Sequence, residues 1–356
     1  MVNFIHKIIF DAFDSNVSDL HLTVAIPPTL RINGELIPQG EEKLTPEDIE
    51  AFVDTIISDI HRKELEERGE TDFSFSVPQR GRLRVNVYHQ RKSLSVAMRI
   101  LQNSVPDIAV LGLSEIVREL CYKPRGIILV TGPTGSGKST TLASMVGEMN
   151  RHRNCHILTI EDPIEYLHRH NTCMVNQREV GDDTRSFANA LRAALREDPD
   201  VIMVGEMRDL ETIQTAITAS ETGHLVLSTL HTTSAAQTID RIVDVFPPNQ
   251  QQQVKVQLSS VLVAVISQQL VPTADGKGRS IATEILLAND AVRNLIREGK
   301  THMINSVIQT NLGAGMMSMD YSLAQLVKLK KVTMDEAMLR CVDLELFRRY
   351  VTNATY

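Results

Sequence analysis

The 356-residue sequence contains no tryptophan and few aromatic residues, and its four cysteines lie far apart. Because none of them forms a CxxC pair, the sequence predicts neither a disulfide framework nor a cysteine-bound zinc site. No apolar run approaches the roughly 20 residues that cross a bilayer as a helix, and the amino terminus lacks the basic start and apolar segment of a secretory signal. We therefore expect reduced thiols and a cytoplasmic location.

The sequence also lacks an excess of positive charge. Its 37 Lys and Arg residues stand against 44 Asp and Glu residues, which gives a formal net charge of −7. A chain of this charge does not favour a nucleic-acid backbone as its partner. The length and the ordinary apolar content are typical of a globular protein with room for two domains.

The first hundred residues mix helical and strand patterns. Thr45 and Pro46 open a segment that predicts one helix continuing through residues 47–67. In residues 81–89 and 93–100, apolar and polar residues alternate, as in strands that bury one face. We therefore predict a small α+β domain over residues 1–100.

Three arginines, Arg82, Arg84 and Arg99, fall on the polar side of these two predicted strands. Two interpretations stay open from the residues alone. The arginines either coat a solvated sheet face or meet anionic groups from another subunit.

After a Pro- and Gly-containing stretch at 101–114, which we predict to be a linker, the pattern changes. Short unbroken apolar runs at 127–130, 157–160, 201–204 and 225–227 alternate with helical segments. Strands buried on both faces and joined by helices indicate a parallel sheet of the α/β class. The predicted core spans residues 115–288, and residues 289–356 are predicted to be helical.

The segment GPTGSGKST matches the phosphate-binding pattern G-x-x-x-x-G-K-[ST] between a predicted strand and a predicted helix. In such a loop, backbone amides and the helix N-terminus bind phosphates, Lys138 contacts the β- and γ-phosphates, and Ser139 ligates Mg²⁺. A glycine-rich turn without a ligand is disfavoured because strand, motif and helix are in register. The predicted ATP-binding residues are Gly132, Pro133, Thr134, Gly135, Ser136, Gly137, Lys138, Ser139 and Thr140.

Carboxylates follow two further predicted strands. Pro163 disfavours a helix just before it, so one strand should end near Glu161, with Glu165 just beyond. Another strand ends next to Glu206. Since the carboxyl ends of parallel strands share one edge, these groups can hold Mg²⁺ or orient water there, although each alone could be an ordinary surface carboxylate. We expect Mg²⁺ on Ser139 directly and on Glu161 and Glu206 through water.

Two histidines, His224 and His231, flank the apolar run at 225–227. In a regular strand, seven positions place side chains on opposite faces and up to roughly 23 Å apart, which excludes one shared metal site. We expect His231 at the same sheet edge as the phosphate loop, where its imidazole can bond a phosphate. His224 is expected at the opposite edge, where a structural role is equally open.

Four blocks in this order resemble the secretion-ATPase superfamily of type II secretion and type IV pili: GPTGSGKST, TIEDPIEY, DPDVIMVGEMRDLET and TGHLVLSTLHT. SDLHL at 18–22 matches as well. VNQREVG, RIVDVFPP and AVRNLIRE look like one branch, the retraction ATPases of the PilT type, and the tetracysteine insertion of assembly ATPases is absent. The resemblance covers about residues 18–326, with departures at HQRKSLS and RILQNSVPD on either side of the last strand of the first domain.

This resemblance implies a RecA-like P-loop core behind a PAS-like amino-terminal domain, assembled as a homohexamer. It implies that ATP lies between neighbouring subunits, so that Arg82, Arg84 and Arg99 acquire the γ-phosphate as a candidate ligand. Glu206 takes the Walker B role and Glu165 matches a glutamate thought to activate water, and the sequence does not rank the two. The implied catalytic residues are Lys138, Glu165, Glu206 and His231.

The implied function is Mg²⁺-dependent ATP hydrolysis that powers type IV pilus retraction at the cytoplasmic face of the inner membrane. The implied partners are an inner-membrane platform protein and other pilus ATPases, with no nucleic acid. AVRNLIRE at 291–298 is expected to serve retraction, against the alternative of an ordinary amphipathic helix. An assembly or secretion ATPase, a nucleic-acid translocase and a non-hydrolysing nucleotide-binding subunit are the alternative functions.

Overall fold

The computed structural model describes residues 1–15, 17–101 and 104–352. Asn16, residues 102–103 of the predicted linker and residues 353–356 of the predicted helical region lie outside the described residues. The chain divides into two compact units. One comprises Met1–Ser104 with Glu165–Leu167, and the other comprises Val105–Ile164 with His168–Tyr356.

The first unit is an antiparallel sheet with helices, which confirms the predicted α+β character. Its described elements are α1 (Val2–Ala12), β1 (Val17–Leu22), β2 (Thr29–Ile32), β3 (Glu35–Pro38), α2 (Pro46–Val53), α3 (Asp59–Arg68), β4 (Glu70–Val77), β5 (Gly81–Gln90) and β6 (Ser93–Ile100). The strand order is β3-β2-β1-β6-β5-β4. Leu83, Val85 and Val87 of β5 are buried in the apolar core, whereas Arg84 between them is exposed, as the alternation predicted.

The single helix predicted from Thr45 through residue 67 is wrong, because the chain leaves the helical conformation between α2 and α3. Thr45 caps α2, with its hydroxyl accepting the Asp48 N–H at 3.2 Å. Ser58 caps α3 in the same way, accepting the His61 N–H at 3.4 Å. The segment between the two helices contains three β-branched residues in a row, Thr55, Ile56 and Ile57, which lose side-chain freedom in a helix. The first helix therefore ends here, and Ser58 caps a new one.

The second unit is built on one large sheet. Up to the end of that sheet its described elements are α4 (Glu115–Leu120), β7 (Gly126–Thr131), α5 (Lys138–His152), β8 (His156–Glu161), β9 (Met174–Glu179), α6 (Phe187–Ala194), β10 (Val201–Val204), α7 (Leu210–Glu221), β11 (Leu225–Leu230), α8 (Ala235–Asp244), α9 (Pro248–Val261), β12 (Leu262–Pro272) and β13 (Arg279–Leu287).

The seven strands are ordered β13-β12-β7-β11-β10-β8-β9. All neighbours are parallel except β12 and β13, which are antiparallel. The predicted α/β class and the four strands read from apolar runs are confirmed as β7, β8, β10 and β11. Alternate residues enter separate cores on the two faces, with Leu129 in one core and Ile128 in the other. β7 is therefore an interior strand, and the chain leaving it begins the glycine-rich loop.

Helices follow the sheet, as the sequence predicted. The described elements are α10 (Asp290–Glu298), α11 (Ile304–Thr310), α12 (Met319–Lys328), α13 (Met334–Met338) and α14 (Leu344–Thr352), with short 3₁₀ turns at Thr301–Met303 and Leu312–Ala314. Leu323 and Phe347 pack with Val271 of β12 in a small apolar cluster. Within the described ranges, no helix is long and apolar enough to cross a membrane.

The predicted linker at 101–114 is largely packed rather than free. From Val105 onward it belongs to the second unit, where Ile108 and Leu113 enter the apolar core. The Ser144 hydroxyl of α5 donates to the Pro106 carbonyl at 2.7 Å. This stretch therefore contacts the helix that follows the glycine-rich loop.

Candidate active site

The loop between β7 and α5 needs glycine where it begins. Gly132 has φ +146°, and a Cβ there would lie 2.3 Å from the Gln268 carbonyl oxygen and 2.6 Å from the Ser136 hydroxyl. Both distances are shorter than van der Waals contact, so any side chain would displace the loop. The predicted phosphate-binding residues thus form one compact turn against β12.

Lys138, the first residue of α5, lies buried against this turn. Its ammonium donates to the carbonyl oxygens of Gly132 at 2.9 Å and Pro133 at 3.1 Å. The loop therefore gathers a positive charge at a helix N-terminus, where an anion is favoured.

The hydroxyl of Ser136 is also buried, and among the described residues it has no hydrogen-bond partner. A buried polar atom without a partner costs free energy, which a ligand oxygen would recover. Together with the Lys138 ammonium, this hydroxyl makes the loop fit a polyphosphate. Binding of phosphate by these loop residues stays a prediction.

Glu161 ends β8, as predicted, and its carboxylate is buried. One oxygen accepts hydrogen bonds from the Thr159 hydroxyl at 2.8 Å and from the Gln177 side-chain amide at 3.0 Å. These two donors hold the carboxylate at the carboxyl end of the sheet, where a cation bound through water would fit.

Glu206 and His231, which the sequence placed at one sheet edge, contact each other. The imidazole Nε2 of His231 lies 3.4 Å from Oε2 of Glu206, and the Arg208 guanidinium lies 2.6 Å from Oε1. Both partners are far more exposed than the carboxylate itself, whose side chain is 16% exposed. Glu206 is thus an ion-paired carboxylate whose partners reach solvent, and Arg208 was not predicted from the sequence.

His224 lies at the other end of β11 from His231, as expected from the spacing. Its ring Nδ1 lies 2.9 Å from the Ala219 carbonyl oxygen in the last turn of α7 and 3.2 Å from the Thr222 hydroxyl. The Ala219 carbonyl also accepts from the Thr222 hydroxyl at 2.9 Å and from the His224 N–H at 3.1 Å, so the His224 ring joins an existing group of hydrogen bonds at the end of this helix. The observed geometry gives His224 a structural contact and gives His231 a contact to a candidate catalytic group.

Glu165, the other candidate for water activation, is exposed and belongs to the short segment Glu165–Leu167 that groups with the first unit. Glu165 therefore belongs to a different compact unit from the glycine-rich loop. Its role stays a prediction.

The arginines of the first unit form part of a row across its sheet. Arg84 on β5 is opposite Arg99 on β6, Arg99 is opposite Asp19 on β1, and Asp19 is opposite Arg31 on β2. Because directly opposed residues share a sheet face, all four side chains start from one face, and Arg82 joins them two positions from Arg84. Arg31 was missed because its strand lies far from the others in sequence.

Asp19 reduces the positive charge of this row. The Arg99 guanidinium Nε lies 2.9 Å from Asp19 Oδ1. Burial pushes the pKa of Asp19 upward, but hydrogen bonds from Ser18 and Arg99 and the charge of Arg99 hold it below its ordinary value. Asp19 is therefore an ionised partner that offsets part of the charge of Arg99.

Two polar residues of β12 that were not predicted from the sequence contact the glycine-rich loop and the elements on either side of it. The Ser267 hydroxyl lies 2.8 Å from the Thr131 hydroxyl at the end of β7. The Gln268 side chain donates to the Ser136 carbonyl at 2.7 Å and accepts from the Thr141 hydroxyl at 2.9 Å. The one local signal is that these polar residues interrupt an otherwise apolar strand.

The AVRNLIRE segment forms α10, and it has two distinct faces. Val292 and Ile296 are buried, and the Arg293 guanidinium donates to carbonyls at the end of α9, at 2.8 Å for Ser260 and 3.1 Å for Leu262. The remaining polar residues Asn294, Arg297 and Glu298 are exposed. The apolar half of the motif is thus explained by packing, and its polar half is left at the surface.

Comparison with known proteins places this site in a family. The model of the type II/IV secretion system protein family matches residues 1–338. The chain is 49% identical over 320 residues to the type IV pilus retractation ATPase PilT of Pseudomonas aeruginosa, covering 90% of this chain and 93% of that protein. It is 48% identical to a twitching motility protein of Neisseria gonorrhoeae, covering 89% and 85%.

Among solved structures, the chain is similar to the crystal structure of the pilus retraction motor PilT with bound ADP. That chain is 50% identical, the match covers 97% of this chain and 99% of that chain, and the TM-score is 0.90. The fold, the glycine-rich loop and the sequence identity agree, and the chain belongs to the type II/IV secretion system protein family.

Proposed function

We propose that this protein is an ATPase motor that powers retraction of a type IV pilus. The observation that carries the proposal is the glycine-rich loop, with its buried Lys138 ammonium and a Ser136 hydroxyl that has no hydrogen-bond partner in the part of the chain that the structure describes. It occurs in a chain about half identical to retraction ATPases along nearly its whole length. Retraction is favoured over assembly because these relatives carry retraction and twitching motility in their names.

The loop residues bind and orient the nucleotide in this proposal. The Lys138 ammonium exchanges its loop carbonyls for phosphate oxygens, and the Ser136 hydroxyl gains an acceptor. Ser139 would hold Mg²⁺, with Glu161 and Glu206 acting through water, and the cation would neutralise charge on the phosphates. Gly135 is exposed in this loop, and glycine at that position would leave the neighbouring backbone amides open to a phosphate.

Glu206 is our candidate for the group that orients the attacking water. Its carboxylate is held by Arg208 and His231, and it can accept a proton from water. Because His231 contacts this carboxylate, protonation of Glu206 would alter that contact and so affect the segment that leads into α8. Glu165 is the second candidate for this role, as the family resemblance implies.

The arginine row of the first unit is our candidate source of positive charge for the γ-phosphate. We infer a homohexamer in which Arg82, Arg84 and Arg99 of one subunit face the nucleotide of its neighbour, since their guanidinium groups stay charged and can contact two oxygens. The exposed polar side of α10 would then contact the pilus machinery. We place the ring at the cytoplasmic face of the inner membrane, on a platform protein and alongside other pilus ATPases, with no nucleic-acid partner.

Deletion of the gene in its own host tests the function. Cells without the protein should carry surplus surface pili that no longer retract, and the native gene should restore retraction. The matched control is complementation with Lys138→Ala, which should fail although the protein accumulates. Bald cells after deletion would instead indicate a pilus assembly ATPase and overturn the proposal.

A further inference from the structure

Gln268 is a buried amide on an interior strand of the large sheet. It lies on β12, the strand beside β7, and only 1% of its surface is exposed. Most buried polar side chains are hydrogen-bonded, because each unmade bond costs free energy. The partners of Gln268 therefore indicate what it does.

One end of the amide contacts the glycine-rich loop, and the other end contacts the helix that follows it. Nε2 donates to the Ser136 carbonyl at 2.7 Å, and Oε1 accepts from the Thr141 hydroxyl in the first turn of α5 at 2.9 Å. The amide thus links the loop to the helix that follows it, because its N–H donates to the loop and its oxygen accepts from the helix. A side chain with only one of these two functions could not make both bonds.

The contact with Ser136 determines the direction of the next amide. In a planar trans peptide unit, the carbonyl and the following N–H point in opposite directions. Because the Ser136 carbonyl is held toward the Gln268 amide, the Gly137 N–H is turned away from that amide. Gly137 has φ +87°, a left-handed conformation that glycine adopts without strain.

We propose that Gln268 is a positioning residue of the nucleotide site, which fixes the Ser136–Gly137 peptide in the orientation that binds phosphate. Gln268 acts through the loop and does not touch the nucleotide. The inference rests on the proposed binding of ATP by the glycine-rich loop. It adds that nucleotide affinity depends on a residue about 130 positions away in sequence.

Replacement of Gln268 by groups of similar shape tests this role. Gln268→Met removes both hydrogen bonds and should weaken binding of fluorescently labelled ADP by roughly tenfold or more, as expected when a buried carbonyl loses its donor. Thr141→Val leaves the Ser136 bond in place and should weaken binding less. Equal affinity of wild type and Gln268→Met would overturn the proposal.

Gln268→Glu gives a pH-dependent readout that packing alone would not produce. A protonated carboxyl can donate to Ser136 and accept from Thr141, whereas the ionised form has no donor and repels the carbonyl. The Kd for labelled ADP should therefore rise by roughly tenfold with increasing pH in this variant, relative to wild type at each pH. A ratio of the two Kd values that stays constant with pH would contradict the proposal.

Two controls separate the possible failures. Thr283→Val changes the residue opposite Gln268 on β13, whose hydroxyl lies 3.8 Å from the Met317 sulfur, and should leave the Kd for ADP unchanged. Lys138→Ala should weaken ADP binding even though Gln268 is unchanged in that variant. If Lys138→Ala binds ADP normally, the assignment of the loop is wrong, whereas loss in Lys138→Ala with normal binding by Gln268→Met refutes the positioning role alone.

Discussion

At the scale of single residues, the two charged groups central to the site are held in different ways. The Lys138 ammonium is buried against loop carbonyls, so its position is set by the fold. The Glu206 carboxylate is held by Arg208 and His231, whose side chains are 74% and 46% exposed. We therefore expect Lys138 to matter for both binding and chemistry, and Glu206 to matter mainly for chemistry.

This difference predicts distinct losses for two substitutions. Lys138→Ala should lower ATP hydrolysis by about a hundredfold or more, because a charge aimed at the phosphates is removed. Glu206→Gln should lower turnover to a similar degree but keep ADP binding within a few fold, since the amide oxygen still accepts from Arg208. The measurements are Mg²⁺-dependent ATPase rates and Kd for ADP, with the exposed Lys123→Ala as control. Normal turnover by either variant would refute the site assignment.

The two histidines of the TGHLVLSTLHT segment should also behave differently. His231→Ala removes the contact to Glu206 and should lower the ATPase rate by about tenfold or more. His224→Ala removes a bond to the Ala219 carbonyl and should lower the unfolding free energy by about 1 kcal/mol with a smaller effect on turnover. ATPase assays and urea unfolding of both variants check this expectation. Equal losses of turnover would contradict the separate roles.

At the scale of elements, the β12–β13 pair carries polar contacts to both sides of the candidate site. Ser267 on β12, which contacts Thr131, is directly opposite Glu284 on β13. Glu284 accepts the Ala235 N–H at 2.8 Å, at the start of α8. The hairpin thus fixes the end of β7 before the glycine-rich loop and the helix that follows His231.

Glu284 should make stability depend on pH. Burial raises the pKa of Glu284, the Ala235 N–H lowers it in part, and nearby Asp320 raises it further. Because the pKa of Glu284 is higher in the folded state than in the unfolded state, its contribution to the free energy of unfolding is fully present below the ordinary pKa of 4.5. This contribution is lost as the pH rises through the pKa of the folded state. Glu284→Gln keeps the acceptor and removes the charge.

The stability gain of Glu284→Gln over wild type should therefore be larger at pH 8 than at pH 5. Urea unfolding at the two pH values measures it, with Glu119→Gln as the control because Glu119 is exposed. A gain that is the same at both pH values, or larger at pH 5, would show that Glu284 carries no buried charge at neutral pH.

The sequence predicted those elements whose signal is local. Unbroken apolar runs located β7, β8, β10 and β11, and the glycine motif located the loop between β7 and α5. The helix break at residues 54–58 was missed because helical periodicity continues on both sides of it. Gln268 and Arg31 were missed because their importance arises from strand neighbours that are distant in sequence, and pairing of that kind leaves no local pattern.

At the scale of the whole molecule, the acidic chain places a cluster of arginines on one sheet face. Arg84 is exposed there, and Arg99 is only partly neutralised by Asp19. Such a face suits an anionic ligand more than it suits the stability of the unit itself, because Arg84 and Arg99 are like charges directly opposite each other. In the proposed ring, the phosphates of the neighbouring subunit would offset this repulsion.

Mixed rings test whether the arginines act between subunits. If Arg84 serves the nucleotide of its neighbour, then Arg84→Ala and Lys138→Ala chains, each inactive alone, should together form some intact sites, roughly a quarter of them at equal amounts. ATPase activity should appear on mixing the two variants under conditions that let subunits exchange.

The matched control is a mixture of Lys138→Ala with Glu206→Gln. Both changes lie in the second unit, so no combination of these chains yields an intact site, and no activity should appear. Activity in this control would mean that the two residues do not belong to one site. Absence of rescue by Arg84→Ala at every ratio, with subunit exchange verified by labelled chains, would show that the arginine acts within its own chain.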